Sequence, residues 1–242
     1  MFRQGKARAL IHNLRLAAML SFVAGIVNIT GVFAIQTLTT NVTGHFAFFS
    51  EEFAGGNYNL AFAFLAYILS FLAGAFASGF LIEWVFRRKP EISHAAPMLL
   101  EMIVLVLVVL LGSDNVINKG QAACLLLFAM GLQNALVTKV SKATVRTTHL
   151  TGLFTDLGIE LSQLFFYKQK SETQKLSKSI RLRLVIIIFF FLGCVIGGLL
   201  YQYYTIKTLY FAAASLLVAL FYDNLRLTFH HYTRRLNAKL RD

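Results

Sequence analysis

The sequence TTNVTGHF at residues 39–46 recurs as TTHLTGLF at residues 147–154, so both copies read T-T-x-x-T-G-x-F. The two motifs are 108 residues apart. Three further pairs of identical residues follow at offsets of 108, 106 and 106 residues: Glu52 and Glu160, Gly25 and Gly131, and Asn28 and Asn134. The chain therefore contains an internal repeat.

The composition around these motifs is that of a membrane protein. Of 242 residues, 57% are hydrophobic and 14% are charged, and the mean hydropathy is +0.65. Six apolar runs approach the length that a bilayer requires, at residues 16–35, 60–84, 95–111, 121–137, 184–201 and 209–222. The sequence predicts an all-α integral membrane protein with six transmembrane helices. Cys124 and Cys194 lie inside apolar runs, so we expect no disulfide, metal site or cofactor.

The basic residues predict the orientation. With a cytoplasmic N-terminus, 21 of the 23 lysines and arginines fall in inside segments, and only Lys119 and Lys207 fall outside. This bias predicts cytoplasmic N- and C-termini. We expect the basic linker, residues 168–183, and the basic tail, residues 223–242, to bind anionic lipid, so the net charge of +12 does not imply nucleic acid.

Three predicted spans separate the two motifs, so the halves have opposite orientations in the membrane. The sequence thus predicts an inverted three-plus-three repeat, with residues 1–112 as the first half and residues 120–222 as the second. Threonine, asparagine and glycine compete with helical backbone. We therefore expect a broken or re-entrant segment in each half, at residues 39–54 and 147–166.

The polar residues of the repeat are candidates for a central solute site, because irregular backbone at membrane depth is tolerated where it lines a cavity. The predicted site residues are Asn28, Thr39, Thr40, Asn41, Thr43, Gly44, Gln133, Asn134, Arg146, Thr147, Thr148, Thr151 and Gly152. Arg146 favours an anionic solute over a cation. The alternative is that the threonines and asparagines serve helix packing.

Four ionisable residues are candidates for coupling transport to protons or cations: Glu52, Glu101, His149 and Glu160. Glu101 lies about two turns into the third predicted span, where an ionised group is costly. Glu83, in contrast, precedes Arg87 by four residues, which predicts a local ion pair.

Several stretches resemble the YoaK-like family of bacterial membrane proteins, a domain of unknown function (1275). They are FVAG at residues 22–25 with Asn28 and Gly31, TNVTG at 40–44, AMGLQNA at 129–135, and VRTT at 145–148 with Thr151 and Gly152. Family members typically have a Ser-Gly-Asn-Thr sequence after the first helix, where this chain has NVTGH at residues 41–45. The resemblance implies six spans and a bacterial cytoplasmic membrane, but no substrate.

Three functions remain open from the sequence. The first is a small secondary transporter or channel, and the second is a non-transporting scaffold or assembly factor. The third, a lipid enzyme, would depend on His149, Asp156 and Glu160, whose spacing is nonspecific, so we do not expect an enzyme. Because small six-span proteins often dimerise, a homodimer is also open.

Overall fold

A computed structural model describes residues 6–89, 92–114, 116–140, 150–167 and 169–221. This part of the chain is all-helical and contains no strand, which confirms the all-α part of the predicted fold class. Its helices are α1 (Lys6–Ile35), α2 (Val42–Ala54), α3 (Tyr58–Phe86), α4 (Ala95–Ser113), α5 (Lys119–Val140), α6 (Leu150–Gln163), α7 (Lys170–Tyr204) and α8 (209–221). A 3-10 turn, Thr205–Thr208, joins α7 to α8.

Five helical segments of the described chain are long and apolar enough to cross a bilayer: Leu14–Ile35, Tyr58–Phe86, Ala95–Ser113, Lys119–Lys139 and Ser171–Phe221. The first four coincide with the first four predicted spans. The last one has 51 residues and covers both remaining predicted spans. The chain is therefore a multi-pass membrane protein with five candidate spanning segments.

The first motif coincides with a break between helices. Helix α1 ends at Ile35, Gln36 adopts a positive φ of 54°, and helix α2 begins at Val42. Asn41 caps α2, since its side-chain oxygen accepts a hydrogen bond of 3.0 Å from the backbone N–H of Gly44. The Asn41 cap thus starts a new helix after the break.

The basic stretch at residues 168–183, which the sequence predicts to be a linker, is helical from Lys170 onward. Residues 170–183 contain neither glycine nor proline, so nothing in them interrupts a helix. Helix α7 consequently combines a polar first part with an apolar second part that starts at Leu184.

Helices α1 and α5 form the centre of the molecule. In the most apolar stretch of each, 61% of residues are buried, against 17% in α3. Helix α1 packs most extensively against α7, and α5 packs most extensively against α3. Helix α4 and the buried side of α8 add to the same hydrophobic core.

Two glycines allow the backbones of these helices to touch. A Cβ atom on Gly25 of α1 would overlap the carbonyl oxygen of Phe190 in α7. A Cβ atom on Gly131 of α5 would likewise overlap the carbonyl oxygen of Phe71 in α3. Only glycine permits so close an approach.

The partner helices contribute the reciprocal contacts. Gly193 of α7 meets the carbonyl oxygen of Phe22, and Gly74 of α3 meets that of Phe128. The four contacts form equivalent pairs. Adding 106 to the number of each α1 residue gives its equivalent in α5, and adding 119 to that of each α3 residue gives its equivalent in α7. The α1–α7 and α5–α3 crossings are therefore built alike.

Candidate binding cavity

A cavity of about 990 Å³ lies where the N-terminal ends of α2 and α6 meet α1, α3, α5 and α7. Its polar lining consists of amides and hydroxyls, from Asn28, Thr40, Asn41, Thr43, Asn134 and Thr151. Gly44 also lines the cavity. The structure thus brings together seven of the residues that the sequence predicts as a solute site, and they come from both copies of the repeat.

The lining follows the same residue offsets as the helix crossings. Four pairs of residues at corresponding positions line it: Asn28 and Asn134, Val42 and Leu150, Thr43 and Thr151, and Phe71 and Phe190. Their offsets are 106, 108, 108 and 119 residues. The cavity therefore lies between the two halves of the repeat and receives equivalent side chains from each.

The two asparagines differ in their hydrogen bonds. Thr40 Oγ1 donates a bond of 2.9 Å to Asn28 Oδ1. Asn134 Oδ1 is buried and has no hydrogen-bond partner among the described residues. An acceptor in this state favours a ligand or water that brings a donor.

The described residues that line the cavity are polar or apolar, and none is charged. No lysine, arginine, aspartate or glutamate of the described residues lines it. Phe46, Phe71 and Phe190 add aromatic surface to the amides and hydroxyls. Asn41 and Thr43 are exposed, so the cavity opens to the surface at the start of α2. Such a site suits a small solute with both hydrogen-bonding groups and apolar surface.

Other predicted site residues lie elsewhere. Thr39 is fully buried, with its methyl group against Gly31. Gln133 is fully buried and donates its side-chain amide to the carbonyl oxygen of Leu20 in α1. Gly152 is in α6 but does not line the cavity. Thr39 and Gln133 therefore act in packing, as the alternative interpretation of the motif predicts.

Four predicted residues fall outside the described part of the chain: Arg146, Thr147, Thr148 and His149. The preference for an anion depended on Arg146, so it remains a prediction.

The three carboxylates proposed for coupling have different surroundings. Glu52 is half-buried, and its Oε2 accepts a bond of 2.8 Å from Asn57 Nδ2. Glu160 holds Arg183 through two bonds of 2.9 and 3.1 Å. Glu101 is fully buried in α4, and neither of its oxygens has a hydrogen-bond partner among the described residues.

Arg183 is a residue that sequence reasoning missed. Its guanidinium also donates a bond of 2.8 Å to Asp156 Oδ2, while Ser179 Oγ donates one of 2.6 Å to Glu160. This network ties α6 to α7. Asp156 and Glu160 are four residues apart, as are Ser179 and Arg183, so matching helical faces were a signal available in the sequence. The predicted pair of Glu83 and Arg87 is present at 3.8 Å.

His45, in α2, is another buried polar residue, with 2% of its surface exposed. Its Nε2–H donates a bond of 2.8 Å to the carbonyl oxygen of Leu38, which leaves Nδ1 without a partner among the described residues. Burial lowers the pKa of His45, and the bond to Leu38 opposes that shift only in part. The imidazole is therefore neutral, and it anchors α2 to the end of the α1–α2 connection.

The apolar helices and the cavity between them define a multi-pass helical membrane protein. The chain belongs to the family described as "Protein of unknown function (DUF1275)", which it matches over residues 16–222. Neither a curated protein nor a solved structure matches the chain significantly.

Proposed function

We propose that this protein is a small secondary transporter or channel for a small polar solute. The observation that carries the proposal is the cavity between the two motifs, with equivalent side chains from each. Secondary transporters with inverted repeats bind their solutes near the middle of the membrane, at the interface of the repeats and beside interrupted helices.

The proposal includes an inverted repeat of six spans. The last apolar segment would be about 76 Å long as one helix, more than twice the thickness of the hydrocarbon core. It is interrupted at Thr205, whose φ is 50°, and by the 3-10 turn that follows. Leu209 and Leu216 of α8 are buried in the core, which supports a separate sixth span that folds back on the others.

We place the protein in the bacterial cytoplasmic membrane with both termini in the cytoplasm. The strong inward bias of the basic residues supports this orientation. It puts the polar first part of α7 in the cytoplasm, where its lysines and arginines suit anionic lipid. A homodimer is compatible with this arrangement.

A thermal-shift screen of the detergent-purified protein tests the proposal. The panel would contain amino acids, organic acids, nucleosides and inorganic ions, because the preference for an anion is unproven. A solute at about 100 times its Kd stabilises the protein by about 2.7 kcal/mol. We expect at least one stabilising solute, whose effect is lost in Thr43→Ala and in Thr151→Ala proteins that remain folded.

Two matched variants serve as controls. Ser50 and Thr155 are exposed hydroxyl residues on α2 and α6 that do not line the cavity. Each bonds to the carbonyl oxygen four residues before it. Ser50→Ala and Thr155→Ala should retain the solute effect, and its loss there would contradict a site at the cavity.

The second candidate is a non-transporting scaffold, which the buried amide of Gln133 and the bond between Thr40 and Asn28 favour. In that case the screen finds no ligand, and Thr43→Ala and Thr151→Ala lose stability instead. An enzymatic role is not part of either proposal, since Asp156 and Glu160 are engaged by Arg183.

A further inference from the structure

We infer that Glu101 is the carboxyl group at which this protein takes up and releases a proton inside the membrane. The inference rests on the proposed transport function, for which it supplies the coupling ion. It also selects Glu101 from the three carboxylates that the sequence proposes for coupling.

Glu101 is on the buried face of α4, near the start of that helix. It lies six residues after the start of α4, or about 9 Å along the helix axis. Met98 and Leu105, one turn to either side, are 1% and 0% exposed. Glu101 itself is fully buried on the same face. The carboxyl group thus faces the hydrophobic core instead of reaching for a membrane surface.

Among the described residues, nothing stabilises a charge at this place. No hydrogen-bond donor among the described residues contacts either carboxylate oxygen. An ionised carboxylate without a partner in such surroundings costs several kcal/mol. The side chain must therefore be neutralised by a bound ion while it is buried.

A proton fits the surroundings better than a metal cation. Hard cations such as Ca²⁺ and Mg²⁺ take about six or more oxygen ligands. In the described chain, no group of three or more histidine, cysteine or acidic residues could hold a metal ion. A proton needs only one of the two oxygens of Glu101, and it leaves an uncharged side chain.

Among the described residues, the ionisable groups on the elements around α4 do not pair with Glu101. They are Tyr58, Tyr67 and Glu83 on α3, Lys119, Cys124 and Lys139 on α5, Lys207 in the 3-10 turn and Tyr210 on α8. None of them forms a hydrogen bond or an ion pair with Glu101, and Glu83 is instead 3.6 Å from Lys139. Proton release from Glu101 consequently requires a change in its surroundings, which is what coupling to transport demands.

The other carboxylates have partners that Glu101 lacks. Asn57 bonds to half-buried Glu52, and Arg183 forms ion pairs with both Glu160 and Asp156. Neither oxygen of Glu101 has such a contact among the described residues.

Labelling with a hydrophobic carbodiimide tests the inference without knowledge of the solute. The full-length protein is reconstituted in vesicles of phosphatidylethanolamine and phosphatidylglycerol and treated with dicyclohexylcarbodiimide. This reagent reacts with protonated carboxyl groups in apolar surroundings, and mass spectrometry locates the adduct. We expect labelling at Glu101 and none at Glu52, Asp156 or Glu160. Above the midpoint of titration, the labelling rate should fall by about tenfold per pH unit.

A second measurement does not depend on access of the reagent. Infrared difference spectra between alkaline and acidic pH should contain a protonated-carboxyl band that Glu101→Gln removes and Ser50→Ala retains. Glu101→Met is a substitute if Glu101→Gln does not fold. A Glu101 signal that is independent of pH would mean a fixed structural proton and would overturn the inference. So would the absence of any Glu101 band.

The two proposals can fail separately. If a solute binds at the cavity but Glu101 does not titrate, transport is not coupled to this residue and the inference is wrong. If Glu101 titrates but the cavity binds nothing, the proton site stands while the proposed solute site falls.

Discussion

Two contacts at corresponding positions of the molecule have opposite chemistry. Where α2 meets α3, the rings of Phe48 and Phe64 pack at a tilt of 31°, with centroids 5.3 Å apart. Where α6 meets α7, Asp156 forms an ion pair of 2.8 Å with Arg183. The residue numbers differ by 108 and 119; both offsets occur in the cavity lining, and 119 also occurs in the helix crossings. The two contacts thus occupy equivalent positions in the repeat, but one is aromatic and the other is an ion pair.

This difference separates positions of the repeat that require one particular residue from positions that require only some favourable contact. The crossings at Gly25 and Gly131 need the same residue in both halves, because only glycine lets the backbones touch. The short helices α2 and α6 require only some attractive contact with the next helix. One half uses aromatic rings, and the other uses charges that respond to salt and water.

The largest expected effect comes from substitutions at the glycine crossings, which the two halves share. Gly25→Ala and Gly131→Ala should each cost about 3 kcal/mol or more, since the new methyl group overlaps a backbone carbonyl that cannot move freely. Thermal unfolding in detergent measures the loss. Gly79→Ala and Gly158→Ala are matched controls, because nothing lies within 4 Å of a Cβ at either position. Equal losses in all four variants would contradict the crossings.

The second effect separates the two contacts by their response to salt. Arg183→Met removes both ion pairs and leaves Glu160, whose side chain is only 14% exposed, without its cation. We expect a loss of about 2 kcal/mol that shrinks at high salt, where the wild-type pairs are already weakened. Phe64→Leu should cost about 1 kcal/mol at any salt concentration. Melting curves of both variants and the wild type, measured across a salt series, test this prediction. If both variants respond to salt identically, the two contacts do not differ in the way proposed.

The third effect concerns pH. The lowered pKa of His45 means that the unfolded chain binds more protons than the folded protein as the pH falls below about 6.5. Wild-type stability should therefore decrease from neutral pH into that range. His45→Leu copies Leu153, the buried residue at the corresponding position of α6. We expect it to cost about 1 kcal/mol at neutral pH and to flatten the acid loss.

Ser50→Ala, at an exposed position on the same helix, should keep the acid loss of the wild type. An unchanged pH profile in His45→Leu would show that another group causes the acid loss.

The smallest effect tests a surface contact. Glu83 lies 3.8 Å from Arg87 and 3.6 Å from Lys139, but these side chains are 52 to 77% exposed. Glu83→Gln should change stability by no more than about 0.5 kcal/mol. Chemical or thermal unfolding of Glu83→Gln and Arg183→Met under the same conditions compares the two losses of stability. A loss as large as that of Arg183→Met would mean that exposure does not govern these ion pairs.

The sequence predicted the features that depend on periodicity and repetition. The apolar runs located the long helices, and the repeat identified Asn28, Thr43, Asn134 and Thr151, which all line the cavity. These inferences worked because a bilayer limits helix length and a repeat brings equivalent residues together.

The sequence did not predict which polar residues turn away from the cavity. Gln133 directly precedes Asn134, yet it faces α1, because successive residues on a helix point about 100° apart and the α1–α5 packing decides which one is buried. Arg183 was missed for a different reason. A hydrophilic stretch was interpreted as a linker, although its residues can form a helix and pair with α6.

The contact between α1 and α7 also has a consequence for synthesis. Gly25 and Phe190 are 165 residues apart in the chain, whereas Gly131 follows its partner Phe71 by only 60. At about 5 to 20 residues per second, a ribosome needs roughly 8 to 33 seconds between making Gly25 and making Phe190. Throughout that interval the α7 backbone that packs against Gly25 has not yet been made. The packing of α1 therefore depends on a helix synthesised much later, and a chain truncated before α7 would leave this face of α1 uncovered.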